Sequence, residues 1–330
     1  MRVLARVGEQ EGIKFDTVHY PFGADHFLKT GESMPAGVIQ EFKDMDAILL
    51  GAIGDPRIEV GMLERAIIGG IRWGELDLYI NLRPIKLYAE YLTPLKDKKP
   101  EDIDMVIVRE NTEGLYIGLG GNFKKGTPDE IAIQEMVATR KGVERVVRYA
   151  FDVARKRNKD NKLTLIDKAN ALQTQDIWTR TVEEVGREYT DIQHDHAYID
   201  AACMWMVKNP EWFDVGVTGN MMGDIITDLG AAIQGGMGLA ASGNIHPGQV
   251  SMFEPIHGSA PKYAGKGVIC PLATISAVQM MLDEIGFSEA AQRIDVAMGK
   301  ALTCGKITSL SASGGLKTSE YTDVVLEFLK

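Results

Sequence analysis

Asp224 and Asp228 stand four residues apart in Met222-Gly223-Asp224-Ile225-Ile226-Thr227-Asp228. In a helix that spacing puts both carboxylates on one face, one turn apart, where they could share a hard cation. A solvated acidic face is the alternative reading. The neighbours Met221, Met222, Ile225, Ile226 and Leu229 are too apolar for a freely solvated helix, which favours a half-buried pair needing a counter-charge. Arg83 in Asn81-Leu82-Arg83-Pro84 and Arg109 in Val108-Arg109-Glu110 each follow a strand-like apolar stretch. Arginines there can hold carboxylates through paired N–H bonds, although singly they are more often surface ion-pair residues. Lys168 follows the strand-like Leu163-Thr164-Leu165-Ile166, and a partly desolvated lysine can act as a base. Tyr116, taken alone, reads as an ordinary half-buried aromatic. The stretch Glu254-Pro255-Ile256-His257-Gly258-Ser259-Ala260-Pro261 is rich in turn formers and small residues, so a ligand could approach its backbone. His257 alone reads as a hydrogen-bonded packing residue. No GxGxxG follows a strand, so a Rossmann-type cofactor site is not supported.

These residues need a scaffold, and 330 residues suffice for two domains with a substantial core. Strand-like and helix-like segments alternate, as in an α/β protein. The strands expected in the first part are Ile13 to Tyr20 and the apolar run Ala47 to Ile53, with a short helix over Pro35 to Phe42 between them. Further strands are expected at Leu78 to Leu82, Met105 to Val108, Glu130 to Gln134, Leu163 to Ile166 and Phe213 to Val217. The strongest helix is Thr139 to Arg157, with Thr139 as its N-cap and Val143, Val146, Val147, Ala150, Phe151 and Ala154 at helical spacing. Asn220 to Ile233 and Leu272 to Ile285 also read as helices. A net charge of -10 argues against a nucleic-acid partner, and no apolar run is long enough to span a membrane. Cys203, Cys270 and Cys304 are widely spaced without a CxxC pair, which suits a reducing compartment and makes the cytoplasm the expected location. Cys203 lies in an apolar run and reads as core.

Several segments, in order and spacing, resemble the β-decarboxylating dehydrogenases that act on isopropylmalate, isocitrate, homoisocitrate, tartrate and D-malate. They are Asn81-Leu82-Arg83-Pro84, Arg109-Glu110-Asn111-Thr112-Glu113-Gly114-Leu115-Tyr116, Asp167-Lys168-Ala169-Asn170, Asp200, Gly223 to Asp228 and the Glu254 to Pro261 turn. The resemblance spans essentially the whole chain. It implies a two-domain α/β fold of the isopropylmalate dehydrogenase type, not a Rossmann fold. A discontinuous cofactor-binding domain would comprise residues 1–78 and 235–330, and a substrate, metal and dimerisation domain residues 79–234. It implies a homodimer with shared active sites, in which Asp224 and Asp228 bind Mg²⁺ or Mn²⁺ together with Asp200 of the partner subunit. Arg72, Arg83 and Arg109 would hold substrate carboxylates, with Asp200 and Asp224 beside them. Lys168 of the partner subunit would help remove the hydroxyl proton, and Tyr116 would protonate the enolate left by decarboxylation. His257, Gly258, Ser259, Ala260, Pro261, Lys262 and Tyr263 would bind the nucleotide.

Departures from the family pattern shape the expectation. Met1 to Gly8 reads as the tail of a helix, and the family's opening strand and glycine-rich loop are not seen, as in an N-terminally incomplete chain. Arg72 sits one residue further than usual from Arg83. Ile67 and Ile68, then Gly69 and Gly70, stand where a leucine pair contacts the aliphatic substituent of isopropylmalate. Lys262-Tyr263 replaces the Asp usual in NAD-dependent members, so NADP stands beside NAD as a candidate. The apolar stretch near Ile67 places isopropylmalate first among substrates, tartrate or D-malate second and homoisocitrate third. A non-catalytic paralogue is the contrasting class, disfavoured because Tyr116, Lys168, Asp224 and Asp228 are all present.

Overall fold

The computed structural model describes residues 1–330. In chain order it contains α1 (Arg2–Glu11), α2 (Ala24–Thr30), α3 (Val38–Lys43), β1 (Ala47–Leu49), α4 (Gly70–Trp73), β2 (Ile80–Lys86), β3 (Asp104–Glu110), β4 (Gly120–Phe123) and β5 (Ile131–Gln134). Then follow α5 (Arg140–Arg157), β6 (Lys162–Asp167), α6 (Asp176–Gly186), β7 (Gln193–Tyr198), α7 (Ile199–Lys208), β8 (Val215–Thr218) and α8 (Asn220–Ile233). The chain ends with β9 (Ala241–Ile245), β10 (Ser251–Pro255), α9 (Leu272–Glu284), α10 (Ser288–Thr303) and α11 (Thr318–Phe328). Two compact units share it. One comprises Met1–Leu78, Lys86–Pro100 and Ala231–Lys330, the other Tyr79–Ile85 and Glu101–Gly230.

In the first unit β10 lies between β1, to which it is parallel, and β9, to which it is antiparallel. Helix α9 is buried on nearly every face, so its apolar residues show no stripe and it forms the unit's central rod. The segment Lys86–Pro100, which the sequence placed in the second domain, groups here. Lys86 and Tyr88 both bond Asp295 of α10, and the Tyr91 hydroxyl donates to the carbonyls of Leu302 and Ile307. Helix α1 buries Val3, Leu4 and Val7 and ends at Gly12, whose left-handed φ of 68° needs no Cβ. The strand expected over Ile13 to Tyr20 does not form. Its alternation is used differently, for Phe15 packs edge-on against Phe287 and Tyr20 against Phe42 without a ladder partner. The expected strand Ala47 to Ile53 spans only Ala47–Leu49, with Leu50 N adding one more bond to the Phe253 carbonyl at 2.8 Å.

The second unit carries the parallel strands β3, β8, β6 and β7 in that order, with β2 beside β3. β3, β6 and β8 are buried almost throughout, which is why they read as continuous apolar runs. Helix α5 covers this sheet with Val143, Val146, Val147, Ala150, Phe151 and Ala154, the stripe its spacing predicts. The antiparallel hairpin β4–β5 is exposed along its whole length. Cys203 is not core. It is half-buried on α7, where Ala202 and Met206 face inward while Met204 and Val207 are exposed.

Thr139 caps α5, its Oγ1 accepting from Gly142 N at 3.0 Å, and it also donates to Glu113 of the loop after β3. Thr139→Ala is expected to cost about 1 kcal/mol or more in urea unfolding, and Thr139→Ser to recover most of it. Equal midpoints for the Ala variant and the native chain would show that the cap carries no stability.

Candidate active site

The second unit's parallel strands end on one set of polar residues, the usual place for ligands in such sheets. Arg109 is the penultimate residue of β3 and is 4% exposed. Its Nη1 lies 2.5 Å from Asp224 Oδ1, and its Nε and Nη2 donate to Asn220 Oδ1 at 3.0 and 2.7 Å. Gly223 makes this possible. A Cβ there would stand 2.5 Å from Arg109 Cγ, so the arginine stem lies across the bare backbone of α8. The Tyr116 hydroxyl donates to the second oxygen, Asp224 Oδ2, at 3.1 Å. Partial burial raises the Tyr116 pKa, the Asp224 charge and hydrogen bond add to this, and Arg109 opposes it.

Asp228 follows one turn along α8. Burial pushes its pKa up, the charge of Asp224 adds to that, and Arg83 and Arg109 pull it down. Two carboxylates one turn apart, with the charge of Asp224 making Asp228 harder to ionise and two guanidiniums close by, suit a divalent cation by donor chemistry. Arg83 on β2 is buried and donates through Nε to Asn81 Oδ1 at 2.6 Å.

Lys168, directly after β6, holds Asp200 at the start of α7 with Nζ 2.5 Å from Oδ1. That bond keeps the Asp200 pKa low. Asp167, one residue earlier, is buried and accepts from Ala169 N and Thr179 Oγ1 while pairing with His196, which fixes the strand end that carries the lysine. Asp200 does not join Asp224 and Asp228 within the chain, and no cluster of three acidic, His or Cys side chains forms. Two separate groups result, Arg109–Asp224–Tyr116 with Asp228, and Lys168–Asp200.

The first unit places the remaining candidates. After β10 the chain turns through His257 to Ala260 into a short helical turn at Pro261–Tyr263, with Ala260 left-handed at φ 46°. Ser259 Oγ donates to the Gly54 carbonyl at 2.6 Å. His257 Nδ1 lies 3.0 Å from the Gly258 carbonyl, whereas its Nε2 is buried without a hydrogen-bond partner. A Cβ on Gly258 would meet nothing within 4 Å. An unpaired ring nitrogen beside open backbone fits a polar ligand. Lys262 Nζ sits 4.9 Å from the Tyr263 ring centroid and Lys266 Nζ 5.8 Å from it.

Arg72 on α4 is mostly buried and pairs with Glu254, its Nη2 lying 2.5 Å from Oε1, while Asn244 also donates to that oxygen. Ile67 departs from the expected apolar pocket. It is 2% exposed within the first unit's core, and Ile68 packs partly buried on the same cluster. The turn Glu64–Gly69 is π-helical, and its extra residue rotates the following positions relative to an α-helix. The freed space over Gly69 is taken by the Trp73 ring, 3.1 Å from where a Cβ would stand.

Residues 1–325 match the family model described as isocitrate/isopropylmalate dehydrogenase. The chain belongs to that family. A 3-isopropylmalate dehydrogenase of Thermobifida fusca is 51% identical over 305 residues, spanning 92% of this chain and 86% of the relative. One of Frankia casuarinae is 49% identical over 292 residues, spanning 88% and 84%. The crystal structure of isocitrate dehydrogenase from Methylococcus capsulatus superposes with a TM-score of 0.87 at 34% identity, covering 99% of this chain and 94% of that one. The fold expected from the short motifs is therefore that of the family.

Sequence reasoning missed Asn220, Gly223 and Glu110. Asn220 was legible only as the start of a helix and Gly223 only as part of the motif Gly223 to Asp228, because their work is to receive Arg109. Glu110 is 1% exposed and accepts from Thr112 N, Thr112 Oγ1 and Glu113 N, so it folds the loop that leads to Tyr116. Burial raises its pKa against the pull of those bonds. Gly223→Ala is expected to lose about 1–3 kcal/mol of stability by overpacking against Arg109, measured by guanidinium unfolding. A loss under about 0.5 kcal/mol would mean that the arginine can leave α8 freely.

Proposed function

We propose that the chain catalyses the oxidative decarboxylation of 3-isopropylmalate to 4-methyl-2-oxopentanoate, a step of leucine biosynthesis, reducing a nicotinamide nucleotide in the cytoplasm. The observation that carries this reading is the convergence of Arg109 and Tyr116 on Asp224, with Asp228 one turn away. The relatives named 3-isopropylmalate dehydrogenase, near half identity over most of the chain, support the substrate. Asp224 and Asp228, with Asp200 of the partner subunit, would hold Mg²⁺ or Mn²⁺. When bound, that cation and the nucleotide supply a Lewis acid for the developing oxyanion and an acceptor for the hydride.

The chain's own groups do the rest. Arg83 and Arg109 bind the substrate carboxylates by charge-assisted hydrogen bonds, with Arg72 a third candidate, and orient the C2–H bond. Lys168 of the partner subunit takes the hydroxyl proton as hydride leaves C2. Loss of CO₂ from the 3-carboxy-2-oxo acid leaves an enolate, and Tyr116 delivers a proton to C3. A phenol is protonated at neutral pH, so Tyr116 carries that proton into the site.

The turn from His257 to Tyr263 would bind the adenosine end of the nucleotide. NAD is the first reading. The lysines around Tyr263 support NADP as the second, since cations there suit a 2′-phosphate. A homodimer is supported by apolar residues left exposed on one unit. They are Met204 and Val207 on α7, Ile225 on α8, and Phe123, Ile131 and Ile133 on the β4–β5 hairpin.

Purified protein with Mg²⁺ or Mn²⁺ should reduce a nucleotide with 3-isopropylmalate faster than with D-malate, tartrate or homoisocitrate, assayed with NAD and NADP in parallel. Turnover of malate with none of isopropylmalate overturns the substrate assignment. The shared site is tested by mixing Tyr116→Phe and Lys168→Ala proteins after subunit exchange. Each mixed dimer then regains one intact site, so activity should return to about a quarter of wild type. No recovery in a mixture with demonstrated exchange means that both residues serve the same subunit's site.

A further inference from the structure

Asn220 opens α8 and is 3% exposed. Its amide meets two partners of fixed sense. Arg109 can only donate, and gives Nε and Nη2 to Asn220 Oδ1 at 3.0 and 2.7 Å. The Glu113 carbonyl can only accept, and takes a bond from Asn220 Nδ2 at 3.0 Å. Turning the amide over would break all three bonds at once.

The first pair fixes one edge of the guanidinium and leaves Nη1 directed at Asp224. The other bond holds the carbonyl that enters the Gly114 turn. Gly114 has φ 84°, and a Cβ there would stand 3.2 Å from Asn220 Cβ, so loop and helix start are in close contact. Two residues later Tyr116 reaches the same Asp224. We infer that Asn220 is a positioning residue, locking Arg109 and the Tyr116 turn to the helix that carries Asp224 and Asp228, and that this work needs an amide. A carboxylate at 220 would neutralise Arg109 and set an oxygen against the Glu113 carbonyl.

The consequence for turnover rests on the function proposed above; the positioning itself does not. Asn220→Asp keeps size and acceptor, removes the donor and adds a charge. Hydrogen exchange of the full-length variant should be about fivefold or more faster in the peptide spanning Asn111 to Ile117, with α5 and β6 unchanged. With 3-isopropylmalate, KM should rise about tenfold or more from the neutralised arginine, and more than kcat falls. A merely structural residue would lower the melting temperature without that split. Asn220→Ser, which adds no charge, should loosen the turn with a smaller rise in KM, and replaces the Asp variant if that one does not fold. Native exchange of the turn in a folded variant overturns the inference, as does wild-type KM in Asn220→Asp. A wild-type protein that turns over none of the acids overturns the proposed function alone, and the exchange of the turn still decides the role of Asn220.

Discussion

The arrangement hinges on one nearly buried cation. Arg109 is withdrawn from water at the end of β3, where an unpaired guanidinium would cost several kcal/mol. The chain meets that cost with an acceptor on Asn220 and a charge on Asp224, both supplied by the first turns of α8. Gly223 is the geometric condition, since any side chain there would occupy the path of the arginine stem. Strand, helix start and the loop bearing Tyr116 are thereby tied to one guanidinium. The same pairing tempers the cost of two carboxylates one turn apart, because Arg83 and Arg109 both pull the Asp228 pKa down against burial and Asp224.

The sheet explains why such different residues converge. β3, β8, β6 and β7 run parallel, so Arg109, Asn220, Lys168 and Asp200 all emerge at the same ends of their strands. Strands buried on both faces supply few polar side chains of their own, and polar chemistry collects where the strands stop. Glu110, Thr139 and Glu113 then stiffen the loop between β3 and α5, so Tyr116 is held although more than a third of it is exposed.

Much of this was legible because the signals are local. The α5 stripe and its Thr139 cap depend on residues within a few positions of one another, as does the i, i+4 acid pair of α8. Ile13 to Tyr20 failed for the opposite reason. A strand is defined by its neighbour, and alternation alone could not say that Phe15 and Tyr20 would pack on other aromatics instead. Ile67 sits in the first unit's core because the turn that carries it is π-helical, a local winding that an apolar run does not reveal. Cys203 is only half-buried because its apolar run lies on α7, which buries only one side. Asn220 gave no sign of its role beyond opening a helix, since an asparagine at a helix start ordinarily reads as a cap.

Lys168 and Asp224 are the two groups whose charges matter most to the proposed chemistry, and each is bonded to a different partner. Lys168 is matched to Asp200, and Asp224 to Arg109 and Tyr116. Within one chain the third carboxylate stays with the lysine rather than with the acid pair. On the proposed reading, a single subunit therefore holds half of two sites and the whole of none. The exposed apolar residues of α7 and α8 lie on the helices that carry Asp200 and Asp224, so the surface that a second copy would cover adjoins both halves. On that reading, assembly and catalysis depend on the same two helices. A substitution that weakens the contact between copies should act on activity first through site completion, before any loss of the subunit's own fold.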